Sequence, residues 1–265
     1  MKVLMIGDIF ARAGRIVVSK VLPQLIQEYQ IDLVVANAEN VTHGKSILRQ
    51  HYDELKDIGV SIFTSGNHIF KNSEVSKYID EVGDLLKPAN MSLYTPGPGT
   101  TVVSVKNKTV RITNLMGRSF MDHVDNPYPI FEEIIANDNS DIHLVDFHAE
   151  ASAEKLAFAW SFDGKITALV GTHTHVQTTD NRILPKGTAY ITDLGMCGSF
   201  NSIIGAKPEE VITKEKTGLP ARFTPSEDLS DLIFSGVVIS INEDNNKAEK
   251  IERILIHLHN DEDYH

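Results

Sequence analysis

Residues 2–40 read KVLMIGDIFARAGRIVVSKVLPQLIQEYQIDLVVANAEN, and their periodicity decides the class of fold. KVLMIG is an apolar run of strand length. After it Val18, Leu22, Leu25, Ile26 and Tyr29 recur at helical spacing, with a bend expected at Pro23. DLVVAN is strand-like again. The cycle then repeats: SILRQHYDELKDIG carries Ile47, Leu48, Tyr52, Leu55 and Ile58 on one helical face, VSIFTSG reads as a strand, and NSEVSKYIDEVG as a helix. Strands alternating with helices predict βαβ units and a largely parallel sheet, buried on both faces.

The middle of the chain changes character. TTVVSV and TVRITNL predict a hairpin turning at Asn107–Lys108, followed by a short helix, PIFEEIIANDN, and a strand, DIHLVDFH. SAEKLAFAWSFDG reads as a helix with Ser152 as N-cap. ITALVG and TAYITDLG are strands, and SGVVISI with AEKIERILIHL predicts a long antiparallel hairpin. There is no repeat, low-complexity linker or composition break. The expectation is one domain over residues 1–265, a two-sheet α/β sandwich.

Composition narrows the function. The 265 residues are 42% hydrophobic and 23% charged, and carry a formal charge of −11 with His neutral. An acidic surface does not suit nonspecific binding to a nucleic-acid polymer, which depends on neutralising phosphates. It does suit bound cations. No window approaches the roughly 18 apolar residues of a membrane span. MKVLMIGDIF, interrupted by Asp8, reads as no secretory signal, so a cytoplasmic location is expected. Cys197 is the single cysteine, which excludes an intrachain disulfide and a Cys-rich zinc site. Among small and apolar neighbours it reads as a buried thiol rather than a nucleophile.

The chemistry collects where strands end. Asp8 follows KVLMIG; Glu39 and Asn40 follow DLVVANA; Asn67 and His68 follow VSIFTSG; His148 ends DIHLVDFH; His173 and His175 follow ITALVGT. In open parallel sheets the carboxyl ends of the strands share one edge, where ligands bind. Residues two apart in extended chain point the same way, so GTHTH (171–175) is expected to present both imidazoles to a common centre. Each of these residues alone has an ordinary reading as a turn, cap or solvated polar group. Their coincidence at one edge does not.

The other histidines serve as controls. Alternation sends His143 to the face opposite His148. His257 and His259 lie on a solvated strand end, His51 on the polar face of a helix, and His123 and His265 have no companions. His43 follows Asn40 closely enough to line the same cleft. Arg118, Arg182 and Asp193 fall near strand ends as candidates for supporting or substrate contacts.

Carboxylate, amide and imidazole donors without thiolate favour manganese, iron or zinc. Seven donors are too many for one ion with open positions, so two ions sharing a carboxylate are expected, as in two-metal hydrolases of phosphate esters. His68, next to a ligand, is left to donate a proton to the leaving oxygen. GDIFARAGR lacks the Lys-Ser/Thr of a P-loop, and neither H-E-x-x-H nor G-x-S-x-G occurs.

GD near the N-terminus, a carboxylate–Asn pair, GNH, an isolated His and G-x-H-x-H, in that order, resemble the calcineurin-like metallophosphoesterase superfamily. The longer segments NAENVTHGK, TSGNHIF, KPAN, DFHAEASAEKLA, VGTHTHVQTTDNRILPKGTAYITDLGM and SGVVI narrow the resemblance to the YmdB-like phosphodiesterases over roughly residues 1 to 256. Phe10 stands where many of the wider superfamily carry a metal-binding His, and Glu39–Asn40 where Asp is usual; both departures belong to the YmdB-like group. The resemblance implies a four-layer α/β/β/α sandwich and a di-metal centre, often of iron. It implies that Asp8, Asn40 and His175 hold one ion, that Asn67, His148 and His173 hold the other, that Glu39 bridges them, and that His68 donates the proton. It further implies attack of a metal-bridging hydroxide on small cyclic nucleotides: 2′,3′-cyclic nucleoside monophosphates first, with 3′,5′-cyclic AMP and GMP left open. A phosphomonoesterase (nucleotidase or phosphoprotein phosphatase) and a regulatory scaffold with incidental turnover are the competing readings. A homo-oligomer is left open, since no apolar stripe argues for one.

Overall fold

The computed structural model describes residues 1–259; His265 lies outside them. The opening unit forms as its periodicity dictates. β1 (Lys2–Ile6), a two-residue β2 (Asp8–Ile9), α1 (Ala11–Tyr29), β3 (Leu33–Asn37), α2 (Arg49–Asp57) and β4 (Ile62–Thr64) follow one another, with Pro23 inside α1. β1 pairs parallel with β3, and β3 parallel with β4. A short helix α3 (Ile79–Val82) precedes the hairpin of β5 (Thr100–Val105) and β6 (Lys108–Met116). Next come α4 (Pro127–Ala136), β7 (Ile142–His148), α5 (Ser152–Ser161), β8 (Ala168–Thr172), β9 (Arg182–Ile183), β10 (Ala189–Ile191) and β11 (Met196–Ser199). Helix α6 (Pro208–Thr217) and the hairpin of β12 (Asp231–Ile241) and β13 (Ala248–His259) complete the described chain.

Two sheets result. One runs β2-β11-β12-β1-β3-β4 with β13 paired to β12; the other runs β5-β6-β7-β8-β10-β9. Alternation along the strands sorts the core into layers. Leu4 and Ile6 of β1 face α1 with Val17, Val18 and Leu22. Val3 and Met5 face inward, against Ile112, Leu144, Val170 and Ile191 of the second sheet. Val145 and Phe147 of β7 point outward to Phe131 of α4 and Phe158 of α5. The architecture is a four-layer α/β/β/α sandwich. Among the described residues no helix is long and apolar enough to cross a membrane.

Several local expectations are corrected. NSEVSKYIDEVG is not one helix: a 3-10 turn at Val75–Lys77 and α3 together bury Val75, Tyr78 and Ile79, and Gly83 with φ +68° stops the element. The β5–β6 turn is Lys106–Asn107, because Val105 pairs with Lys108 and Lys106 takes the left-handed conformation, φ 53°. Ala151, not Ser152, is the N-cap of α5, without a side-chain cap bond. His51 is buried rather than on a solvated face, since its Nδ1 lies 2.7 Å from Thr42 Oγ1 in the loop packed on α2. His143, His257 and His259 behave as read. His143 is packed against Asp138, Nδ1 to Oδ2 2.8 Å, on the face opposite His148, and His257 and His259 are exposed on β13. Cys197 is fully buried, and burial pushes its thiol up to about 12.

Candidate metal centre

The carboxyl ends of β1, β3, β4, β7 and β8 meet at one rim, although they belong to two sheets. Asp8 begins β2, where its backbone N–H donates to Gly195 O at 3.0 Å. Glu39 and Asn40 lie just past β3, and Asn67 and His68 just past β4. His148 is the last residue of β7, and His173 and His175 follow β8. The β4 loop comes so close to His148 that a Cβ on Gly66 would sit 2.1 Å from the ring, so only glycine fits there.

These side chains fall into two touching groups. In the first, Asn40 Nδ2 lies 3.1 Å from Asp8 Oδ1 and 3.3 Å from His175 Nε2. In the second, His148 Nε2 lies 3.3 Å from Asn67 Oδ1 and 3.1 Å from His173 Nδ1. Glu39 stands between them, with Oε1 3.3 Å from Asn40 Nδ2 and 3.2 Å from His148 Nε2. Ligand atoms of Glu39, His148 and His173 all lie within 4.8 Å of one another.

The donor set fits metal ions. Each imidazole has its outer nitrogen tied to an acceptor and its inner one turned to the centre, the arrangement that orients metal-binding histidines. His148 Nδ1 meets Thr172 Oγ1 at 2.9 Å, and that hydroxyl donates onward to Asp146 Oδ1 at 2.7 Å. His175 Nδ1 donates to the Ile204 carbonyl at 2.8 Å, and His173 Nε2 lies 3.2 Å from Glu150 Oε2. Asp8 and Glu39 are 0% and 1% exposed, and their ion-pair partners among the described residues are imidazoles alone. Such carboxylates are costly to bury without a cation.

The proton balance says the same. Burial works against the Asp8 charge, and the facing His175, then His148, overcome it and hold the carboxyl well below its usual range. Glu39 is lowered likewise: burial works against its charge, and His148 together with His68 overcomes it. Burial works against charge on His148, but Glu39, with Asp8 and Asp146, carries it up to about 9; burial opposes His175 too, and Asp8, the Ile204 carbonyl and Asp193 together raise it. Without other cations, protons hold these carboxylates; metal ions compete for the same nitrogens.

His68 stands apart from this pattern. Its backbone N–H donates to Glu39 Oε2 at 2.8 Å, its Nδ1 lies 2.8 Å from Asn40 Oδ1, and the side chain keeps 30% of its exposure. Burial, above the opposing Glu39 charge, lowers its pKa.

GTHTH does not work by strand alternation. β8 ends at Thr172, and His173 and His175 both take positive φ, 106° and 65°. The rings therefore diverge, one to His148 and the other to Asp8. Asp193 sets this bend: its Oδ2 accepts from Thr174 N at 3.1 Å and from the ammonium of fully buried Lys155 at 2.8 Å. Arg118 and Arg182 are not at the centre; Arg118 is exposed, and Arg182 lies over the Tyr190 ring. Sequence reading missed Asp146, though its place two residues before His148 put it on the same face. It also missed Lys155, for which an apolar helical neighbourhood gave no signal, and Ile204, which acts through its carbonyl.

The model of the family described as YmdB-like protein matches residues 4–254. The chain belongs to the YmdB-like protein family. It is 45% identical over 258 residues to the Bacillus subtilis (strain 168) protein named 2′,3′-cyclic-nucleotide 2′-phosphodiesterase, covering 97% of both chains. Two solved structures are similar to this YmdB-like chain throughout. A Mycoplasma pneumoniae protein titled a novel phosphatase has TM-score 0.93 and 39% identity, with 100% of this chain and 97% of that one covered. A Thermus thermophilus protein titled hypothetical has TM-score 0.92 and 35% identity, with 97% of this chain and 99% of that one covered.

Proposed function

We propose that the chain is a dinuclear-metal phosphodiesterase of small cyclic nucleotides, 2′,3′-cyclic nucleoside monophosphates first. The coarse class, a phosphoesterase, agrees with the names of its relatives. The observation that carries the reading is the pair of touching donor groups with Glu39 between them. In this reading Asp8, Asn40 and His175 hold one ion, Asn67, His148 and His173 hold the second, and Glu39 is shared. Iron, manganese and zinc all suit such donors. Ions bound there supply an acidified water and neutralise phosphoryl charge.

The chain's own residues supply orientation and the proton. Asn40 turns its amide nitrogen toward Asp8 and Glu39 and its oxygen toward His68. With Asn40 Oδ1 accepting from the Nδ1–H of the protonated ring, His68, which lines the pocket beside the centre, would give its Nε2 proton to the leaving oxygen and return to neutral imidazole.

Elemental analysis of purified protein should find two metal equivalents per chain. A panel should show 2′,3′-cyclic nucleotides turned over in preference to p-nitrophenyl phosphate. Protein that stays metal-free after exposure to iron, manganese and zinc would refute the centre, and the reverse substrate ranking would make it a phosphomonoesterase. Glu39→Gln removes the shared charge and should lower occupancy of both ions, weakening binding at least as much as the roughly tenfold of outer-shell changes. Unchanged metal stoichiometry in that variant would rule out the bridge.

A further inference from the structure

The segment between β11 and β12 is built over the centre, and only its Ile204 carbonyl has a role in the reading above. It is closed on itself: Ala206 bridges to Pro225, Lys207 N donates to Thr224 O at 3.0 Å, and Ser226 N donates to Gly205 O at 2.8 Å. Its helix α6 is tied to the returning chain, because Glu210 accepts from Thr224 N and Oγ1 at 2.6 and 2.7 Å. It is also tied to the centre, through the Ile204 carbonyl on His175.

This segment forms one wall of a cavity of about 500 Å³ that includes Glu39, His68, His173 and His175. That is the size of a site for a whole small ligand rather than for one phosphoryl group. Part of its lining is apolar, from Phe10, Ala206, Phe223 and Pro225. Phe10 is held fixed: Cβ atoms on Gly44 and Gly205 would sit 2.9 and 2.5 Å from its ring, and it meets His175 edge-on at 5.4 Å. The rim carries Lys45, Lys214 and Arg222, none with a carboxylate at ion-pair distance among the described residues. Lys214 Nζ lies 4.9 Å from the Phe223 ring centroid. Three unpaired cations beside an apolar shelf, in a chain of net charge −11, complement an anion that carries a flat apolar group.

From this we infer that residues 200–225 are the base-recognition element of the enzyme, with the substrate's nucleobase lying on the Phe223 shelf and Lys214 and Arg222 drawing its anionic end inward. Aromatic and guanidinium planes hold bases in this manner without strong sequence preference. The inference rests on the cyclic-nucleotide reading and adds the element that selects nucleotides over simple diesters.

The test is the ratio of kcat/KM for 2′,3′-cyclic AMP to that for ribose 2′,3′-cyclic phosphate, which has no base. Phe223→Ala should lower this ratio roughly tenfold or more, mainly through KM for the nucleotide. Phe223→Leu, which keeps apolar volume and loses the aromatic plane, serves as the second variant, with the same direction expected; Lys214→Ala should lower kcat/KM for both substrates alike, since both carry the anion. Ratios equal to that of the unaltered protein in both Phe223 variants would overturn the inference while leaving the proposed reaction standing. If the unaltered protein turns over no cyclic nucleotide, the proposed reaction fails. The shelf is then judged by equilibrium binding of adenosine 3′-monophosphate: affinity that depends on Phe223 sustains it, and affinity equal to that for inorganic phosphate overturns it.

Discussion

His68→Ala is expected to lower kcat on 2′,3′-cyclic nucleotides by about 10²–10⁴-fold, the usual contribution of a positioned proton donor, while both metal equivalents stay bound. The separation of the two effects follows from which atoms of His68 are engaged. Glu39 Oε2 is held by the backbone N–H of residue 68, at 2.8 Å, and an alanine keeps that donor. The imidazole reaches the donor groups only through Asn40, by Nδ1 to Oδ1 at 2.8 Å, and through a longer approach of 3.5 Å to Glu39 Oε1. Truncation therefore removes the proton while leaving the shared carboxylate in place. A diester with a p-nitrophenolate leaving group needs no proton on departure, so its rate should fall much less. Loss of metal in the variant would make His68 a ligand, and an equal fall for both esters would remove its role as acid.

The residues of the candidate centre are legible in the sequence because each sits at the end of an apolar run, and parallel topology gathers such ends whatever their order in the chain. For GTHTH the operative reason is not strand alternation. Alternation places both rings on one face of a strand, whereas φ values of 106° and 65° turn the chain at His173 and His175 and send the rings to different neighbours. Positive φ at a histidine has no sequence signature; it follows from Asp193 beneath Thr174. Asp146 is readable from the same alternation that places His143 opposite His148, since it lies two residues from His148. The segment over the cavity escapes a sequence reading because its apolar residues, Ile204, Ala206 and Phe223, serve the pocket and show no core periodicity. Its helix is nonetheless framed by Pro208 at the start and Gly218, φ +68°, at the end.

Lys155→Met should destabilise the protein by about 3–5 kcal/mol, the cost of removing one partner of a buried ion pair. Both Lys155 and Asp193 are 0% exposed, with Nζ to Oδ2 at 2.8 Å. The methylene stem lies along Gly171, where a Cβ would come within 2.8 Å of Lys155 Cδ, so methionine suits the channel and the lost quantity is charge. At roughly 2–4 °C per kcal/mol for a chain of this size, thermal unfolding should move down by about 10 °C. The effect reaches the centre because the same carboxylate oxygen fixes Thr174 N, between the two imidazoles, while Oδ1 accepts from Gly195 N at 2.8 Å. Adding Asp193→Asn neutralises the orphaned charge, so the double variant should recover stability relative to Lys155→Met alone, a non-additivity expected of contacting partners. Metal affinity should recover less than stability, because a neutral amide holds the Thr174 N–H more weakly than a carboxylate does. A double variant no more stable than the single one would show that the helix α5 packing, and not the charge pair, supports the strand-end loop.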